Sequence, residues 1–221
     1  MGINKKLLVE HSTFGSIGLG ALIVFIAVVL IAGIAASVLI QTSSTLEIQA
    51  STTGRETTSE VSTGLEICNI EGYAASGSDI SKLIIMIRPR AGSKDINLNH
   101  AYIELSDTNS KIVFNYSSTC MVEDGSGQDN VFGADFFPGV SGQFGLLVLE
   151  DADDSCLSAT PVINKGDKVL LGIDTSVCFN SNAGVDARTD VWGSVIPEMG
   201  SPGVIGFTTP ASYTDNVIDL Q

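Results

Sequence analysis

A run of 22 residues with no charge and no proline, LGALIVFIAVVLIAGIAASVLI at positions 19–40, constrains this chain more than any other feature. It sits inside a longer uncharged stretch, residues 16–46, that begins fifteen residues from the N-terminus behind Lys5 and Lys6. About 20 apolar residues suffice for a helix to cross the hydrocarbon of a bilayer. A helix that is apolar all round must be buried, in lipid or in protein. Everything after it is a different polypeptide, acidic, rich in Gly, Ser, Thr and Asp, and full of short β-type runs. The chain therefore reads as a greasy helical stalk carrying a soluble head.

Charge decides which side of a membrane the head occupies. The 221-residue chain has 25 acidic and 11 basic residues, a formal net charge of −14. Because Lys5, Lys6 and Glu10 precede the apolar run, the remainder holds 24 acidic and 9 basic residues, a net −15. Such a surface repels nucleic acid and anionic lipid. The excess of Lys at the N-terminus places that end in the cytoplasm and the acidic head outside. Cys68, Cys120, Cys156 and Cys178 would then meet an exterior that permits disulfides. No two lie within four residues of each other, which excludes the usual zinc spacings. Of the three pairings open to four cysteines, Cys120–Cys156 is favoured, since both lie in the head beside acidic loops; buried unpaired thiols are the other reading.

An ordinary secretory signal would also combine basic residues, an apolar run and an exterior passenger. Here the apolar run exceeds the usual h-region of about 7–15 residues, and no small-x-small cleavage site follows it with a clean break. Residues 41–67 continue without a proline and keep apolar side chains at Leu46, Ala50, Val61 and Leu65, spacings compatible with one helical stripe. Ser and Thr are mediocre helix formers and Gly54 and Gly64 weaken the segment further, so a helix here needs neighbours. The expectation is one helix over residues 16–73. Small residues recur along its first half at Gly18, Gly20, Ala27, Ala32, Gly33, Ala36 and Ser37. Ala32/Ala36 and Gly33/Ser37 are small-xxx-small pairs that let helix backbones approach closely.

The residues now resemble a known family. GSIGLGALIVFIAVVLIAGIAASVLIQTSS at 15–44 is similar to the N-terminus of archaellins, the archaeal flagellins of the type IV pilin-like superfamily. The likeness continues through Thr53-Gly54-Arg55-Glu56, LIIMIRPRAGSKDINL at 83–98 and NKGDKVLLGID at 164–174. It closes with IPEMGSPGVIGFTTPASYTDNVIDLQ at 196–221, so it spans nearly the whole chain. The resemblance implies that residues 1–15 are a leader, cut between Gly15 and Ser16 by a prepilin-type aspartic peptidase. Family leaders place Lys or Arg immediately before the Gly, whereas this chain has Thr13-Phe14-Gly15. The physical need for a cut is clear. A charged residue costs about 2.5–3.5 kcal/mol at a bilayer centre, and an unpaired charge in a packed helical core fares no better.

Beyond residue 75 the pattern becomes short alternating or apolar runs at 82–88, 101–105, 111–116, 144–150, 169–173, 191–196, 204–207 and 217–220. Gly, Asp, Asn and Pro clusters separate them, with Pro89 and Pro197 at strand ends, which predicts an all-β sandwich of about eight strands. Archaellin heads are Ig-like sandwiches, so the resemblance implies the same. The expected fold class is α+β, a long N-terminal hydrophobic helix followed by an all-β Ig-like sandwich. The expected division is a leader over 1–15, a membrane or filament-core helix over 16–74, and an outer domain over 75–221.

Chemistry is sparse in this sequence. His11 falls in the leader and His100 stands alone among polar residues; no nucleophile–base pair, P-loop or metal triad can be assembled. Asp124, Ser126, Gln128, Asn130 and Asp135 occupy positions 1, 3, 5, 7 and 12 of an EF-hand-like loop. Asp129 stands where that loop needs Gly, and Asp replaces the bidentate Glu. Glu150, Asp151, Asp153 and Asp154 form a second acidic loop; both loops read first as solvated, with no cofactor required, and calcium at Asp124, Ser126 and Gln128 or at Asp151 and Asp153 is the alternative. Asn115-Tyr116-Ser117 is the single N-x-S/T sequon. Archaellins are commonly N-glycosylated, so the resemblance implies a glycan on Asn115.

Three functions fit these features. The resemblance implies a filament subunit of the archaellum, which does no chemistry and serves swimming. Its partners would be copies of itself and other archaellins, the leader peptidase, a membrane assembly platform and a motor ATPase. It would pass from a membrane-inserted precursor to an extracellular filament. An adhesive or minor pilin of the same superfamily is the second reading. A membrane-anchored extracellular binding module or hydrolase is the third; it would need a pocket with convergent polar groups, and the sequence supplies none.

Overall fold

A computed structural model describes residues 4–75, 79–125, 127–179 and 183–221, and for residues 4–17 the backbone alone. The chain forms two compact units, residues 1–55 and 56–221. One helix, α1 (Asn4–Ser62), runs through the first unit and ends inside the second. In its polar half, threonine hydroxyls fold back onto the preceding turn. Thr42 Oγ1 donates to the Val38 carbonyl and Thr45 Oγ1 to that of Gln41.

The helix is shorter than the sequence predicts. It stops at Ser62 instead of continuing through residues 73–74, and Leu65–Ala74 forms a strand, β1. Thr63 N makes the last helical bond, to Ser59 O at 2.9 Å, and Gly64 then leaves the helical path. Leu65, Ile70 and Ala74 are fully buried in the head's core, whereas Leu46 and Val61 are exposed, so the anticipated stripe does not exist. A bulge between Ile67 and Asn69 shifts the register by one residue. It lets Leu65 and Ile67 before it, and Ile70 after it, face the same core.

The remaining strands are β2 (Ile80–Pro89), β3 (Ile96–Asn97), β4 (Tyr102–Ser106), β5 (Lys111–Val122), β6 (Gln143–Glu150), β7 (Cys156–Leu157), β8 (Thr160–Ile163), β9 (Lys168–Asp174), β10 (Asp190–Ile196), β11 (Gly203–Thr208) and β12 (Val217–Asp219). All eight strands expected from the sequence are present. The missing ones were β1, absorbed into the helix, and the short β3, β7 and β8. Nine strands form one sheet in the order β11-β10-β4-β5-β6-β9-β2-β1-β12, and β3, β8 and β7 form a small second sheet.

The long sheet curls so that its two halves face each other like the layers of a sandwich. One core takes Ile85, Phe144 and Leu171 from one half and Ile103, Val195 and Ile205 from the other. The two edges meet. Gly64 bridges Ser201, and the Gln221 side-chain amide accepts from Gly206 N at 2.9 Å and donates to Val204 O at 3.4 Å.

Strands β5 and β6 are parallel, which demands a crossover instead of a tight hairpin. The crossover covers the outer face of β2, β6 and β9. Phe132 and Phe136 pack there on Ile84, Leu147 and Leu170, with Tyr73 stacked on Phe132 at 5.2 Å. Lys82 donates to the Phe132 carbonyl and lies over the Phe137 ring at 4.5 Å. Room for Phe136 comes from a cross-strand glycine pair, Gly145 and Gly172. A Cβ on Gly172 would meet the Phe136 ring at 2.5 Å, and one on Gly145 would meet the Phe136 carbonyl oxygen at 1.9 Å.

Candidate functional site

The apolar span of α1 is the site. Its large side chains from Leu19 to Ile40 are between 49% and 70% exposed. Fully burying a Leu, Ile, Val or Phe side chain is worth about 1.5–3 kcal/mol, so a helix this bare in water is untenable and needs lipid or other helices around it. Gly18, Gly20 and Gly33 have open space where a Cβ would be, and Ala32/Ala36 and Gly33/Ser37 recur at i, i+4. Small residues at this spacing let another helix approach closely. Gly15 and Ser16, the expected cleavage pair, lie on the helical backbone, and their side chains lie outside the described residues.

The head grips the end of α1 through backbone bonds. Ser201 N donates to Thr63 O at 2.9 Å, Leu65 N to Ser201 O at 3.1 Å, and Arg90 N to Gly64 O at 2.9 Å. Gly64 N and Lys94 N are taken up by the Ser93 and Thr63 hydroxyls. Gly200 has φ +96°, and a Cβ there would sit 2.2 Å from Thr63 O. The E-M-G-S-P turn near the end of the sequence exists to reach this junction. The sequence signal of this turn is Gly200, placed for a left-handed backbone.

The acidic loops are arranged differently from the EF-hand expectation. Asn130 Oδ1 caps the turn at Val131–Gly133 by accepting from Phe132 N, Gln128 and Asp135 are exposed, and Ser126 lies outside the described residues. Asp124 instead lines a cleft with Glu123, Asp151 and Asp154. The second loop does converge, but with a residue the sequence did not suggest. One carboxylate oxygen each from Asp151, Asp153 and Asp167 lie within 4.8 Å of one another, a spacing a hard cation can bridge. Asp167 is buried, and that burial raises its carboxyl's pKa. Hydrogen bonds from Ser155 and Asn164 lower that of Asp153. Asp167 sits across a chain reversal from Asp151, so only the fold reveals the contact.

Cys120 and Cys156 are free thiols, as are Cys68 and Cys178, so the favoured disulfide is not formed. Cys156 is 2% exposed and serves as a core hydrophobe. Burial, then the charges of Asp151, Asp167 and Glu123, push its pKa up to about 12. Asn115 is exposed on β5 with its amide side chain on the outer face, and the Ser117 hydroxyl of the sequon bonds Thr119 at 3.0 Å.

A bare apolar helix joined by backbone bonds to a β-sandwich head is the architecture of a protein that associates through its helix. The model of the archaeal-type flagellin family matches residues 15–207. Flagellin B2 of Methanocaldococcus jannaschii is 45% identical over 210 residues, covering 94% of this chain and 95% of the relative. Flagellin B5 of Pyrococcus abyssi is 42% identical over 219 residues, covering 94% and 99%. The crystal structure of archaeal flagellin FlaB1 from Methanocaldococcus jannaschii aligns with a TM-score of 0.61 at 34% identity, over 72% of this chain and 97% of that one. The archaeal flagellum of Methanospirillum hungatei strain JF1 shares the fold, with a TM-score of 0.61 at 15% identity over 91% of this chain and 98% of that one. The chain belongs to the archaeal-type flagellin family.

Proposed function

We propose that this chain is a structural subunit of the archaeal flagellar filament, which polymerises through α1 and serves swimming motility outside the cell. The observation that carries this is the all-round apolar helix with its large side chains exposed, in a member of a structural flagellin family. The precursor rests in the membrane, and a prepilin-type peptidase removes the leader between Gly15 and Ser16. The family match beginning at residue 15 supports that boundary. A membrane platform and a motor ATPase then move α1 from lipid into a core of identical helices, where Gly18, Gly20, Ala32, Gly33, Ala36 and Ser37 allow close approach. Lipid contacts are exchanged for side-chain contacts, so packing summed over many copies decides assembly. Because the contacts are heterologous and do not close, the product is a filament.

Filaments released from cells expressing this chain are expected to begin at Ser16 by N-terminal sequencing. Their intact mass is expected to exceed that of the bare polypeptide by a glycan on Asn115. Recovery of the chain only as a membrane-bound monomer that retains Met1 would overturn the reading.

Asp151, Asp153 and Asp167 are proposed to take calcium as an accessory cation that ties the β6–β7 loop to the turn before β9. Millimolar calcium is expected to raise the melting temperature of the full chain in detergent, and Asp153→Asn to abolish the increment. An unchanged wild-type melting temperature removes calcium from the account.

A further inference from the structure

The polar half of α1 is helical without the usual supports of a helix in water. Of the 17 residues from Thr42 to Thr58, nine are Ser or Thr and one is Gly54. Ser and Thr stand in the lower half of the helix-propensity scale, and Gly stands near its foot. Every residue from 41 to 58 is exposed, Leu46 and Ile48 by 62% and 64%. A largely polar helix with no packed face depends on i, i+4 pairs and on intrinsic propensity. Helpful pairs are missing too. The sequence puts no basic residue three or four positions from Glu47 and no acidic residue three or four positions from Arg55. It sets Glu56 four positions from Glu60, a like-charge spacing that repels. The Thr42 and Thr45 hydroxyls bond carbonyls one turn back, an arrangement that slightly weakens a helix. Continuation from the apolar half removes the cost of nucleation but not the deficit at each added residue.

We propose that residues 42–58 hold this helix only inside the assembled polymer, and that in the membrane-resident precursor they open into a disordered tether. The inference rests on the filament reading and adds to it a folding step coupled to assembly.

In the polymer, helices of other copies would cover Leu46, Ile48 and Ala50 and keep water from the backbone bonds around them. The segment then meets its ordering cost at the moment a subunit docks, as other segments that fold on binding do. Two precursors that meet in the membrane cannot surround this segment. The growing end of a filament presents several helices at once and can. Folding on docking thus favours lengthening an existing filament over starting a new one.

Hydrogen exchange of the full chain, read by mass spectrometry, tests this. In wild-type chains dissociated by detergent, amides at 46–57 are expected to exchange within about ten-fold of the rate of an unstructured peptide, while those at 19–40 and in β2 stay protected. In detached wild-type filaments the amides at 46–57 are expected to slow by about 100-fold or more. Gly54→Ala adds an atom with nothing within 4 Å of it. It is expected to slow exchange of the neighbouring amides about five-fold in dissociated chains and to leave the melting of the head unchanged. Dissociated chains that protect 46–57 as strongly as 19–40 would overturn this inference and leave the filament reading intact, as would filaments in which 46–57 still exchanges freely. A wild-type chain that forms no filaments would instead overturn the function on which it rests.

Discussion

Gly145→Ala is expected to destabilise the head by about 3 kcal/mol or more, since overpacking against backbone leaves no side chain free to yield. The new methyl would lie 1.9 Å from the Phe136 carbonyl oxygen and 2.4 Å from that of Cys120, so β5 or the crossover must shift as a whole. For a head of this size each kcal/mol moves the melting point by about 2–4 °C. Thermal unfolding of the full chain in detergent should then show a fall of about 6–12 °C. Gly172→Ala meets the Phe136 ring at 2.5 Å and its carbonyl oxygen at 3.1 Å, a looser backbone contact than at Gly145, and should cost less. Gly206→Ala, with nothing within 4 Å of the added atom, should stay within about 0.5 kcal/mol of wild type. A Gly145→Ala chain that melts with the wild type would show that the crossover does not clamp the β6–β9 pair as described.

Ile31→Arg is expected to abolish filaments while leaving the head folded. Ile31 is near the middle of the apolar run and 66% exposed on the isolated chain. A guanidinium at that depth costs about 2.5–3.5 kcal/mol in the precursor membrane on insertion scales. In a filament every copy would carry the same unpaired charge into a dry core of like charges, where no counter-ion is supplied. Electron microscopy of cell supernatants should find no filaments from the Ile31→Arg strain and normal ones from Ile31→Leu. Circular dichroism of the purified variant should retain the strand signal of the head. Filaments of ordinary length from Ile31→Arg would mean that α1 is not packed inside the polymer.

How much of this was legible beforehand follows from the range of the interactions involved. The apolar run needs no partner to be recognised, because composition alone requires its burial. Strands β2, β4, β5, β6, β9, β10, β11 and β12 announced themselves by alternation between turn residues. Strand β1 was hidden because Leu65 continues the i, i+4 spacing of the helix, and only the bulge after Ile67 restores a strand's inward face. The site followed the same division. Small residues on α1 are a local pattern, whereas the grip of Ser201 on Thr63 and Leu65 joins segments more than a hundred residues apart. Asp167 joins Asp151 only across the β7–β8 reversal, and at Asn130, where an EF-hand loop would turn a backbone carbonyl on the cation, that carbonyl accepts from Gly133 N at 3.0 Å.

The junction at Thr63 also sets how a moving filament would load its heads. Force arriving along α1 enters the head at the first residue of β1, and β1 is paired with β2 from Leu65↔Pro89 through Ala74↔Ile80. Antiparallel rungs lie across the strands, so a tug along β1 strains the whole ladder together in shear and does not peel it one rung at a time. The Ser201 and Arg90 bonds brace the point of entry on both sides. A head fastened this way yields only when many bonds fail at once, which suits a rod that must be spun against viscous drag.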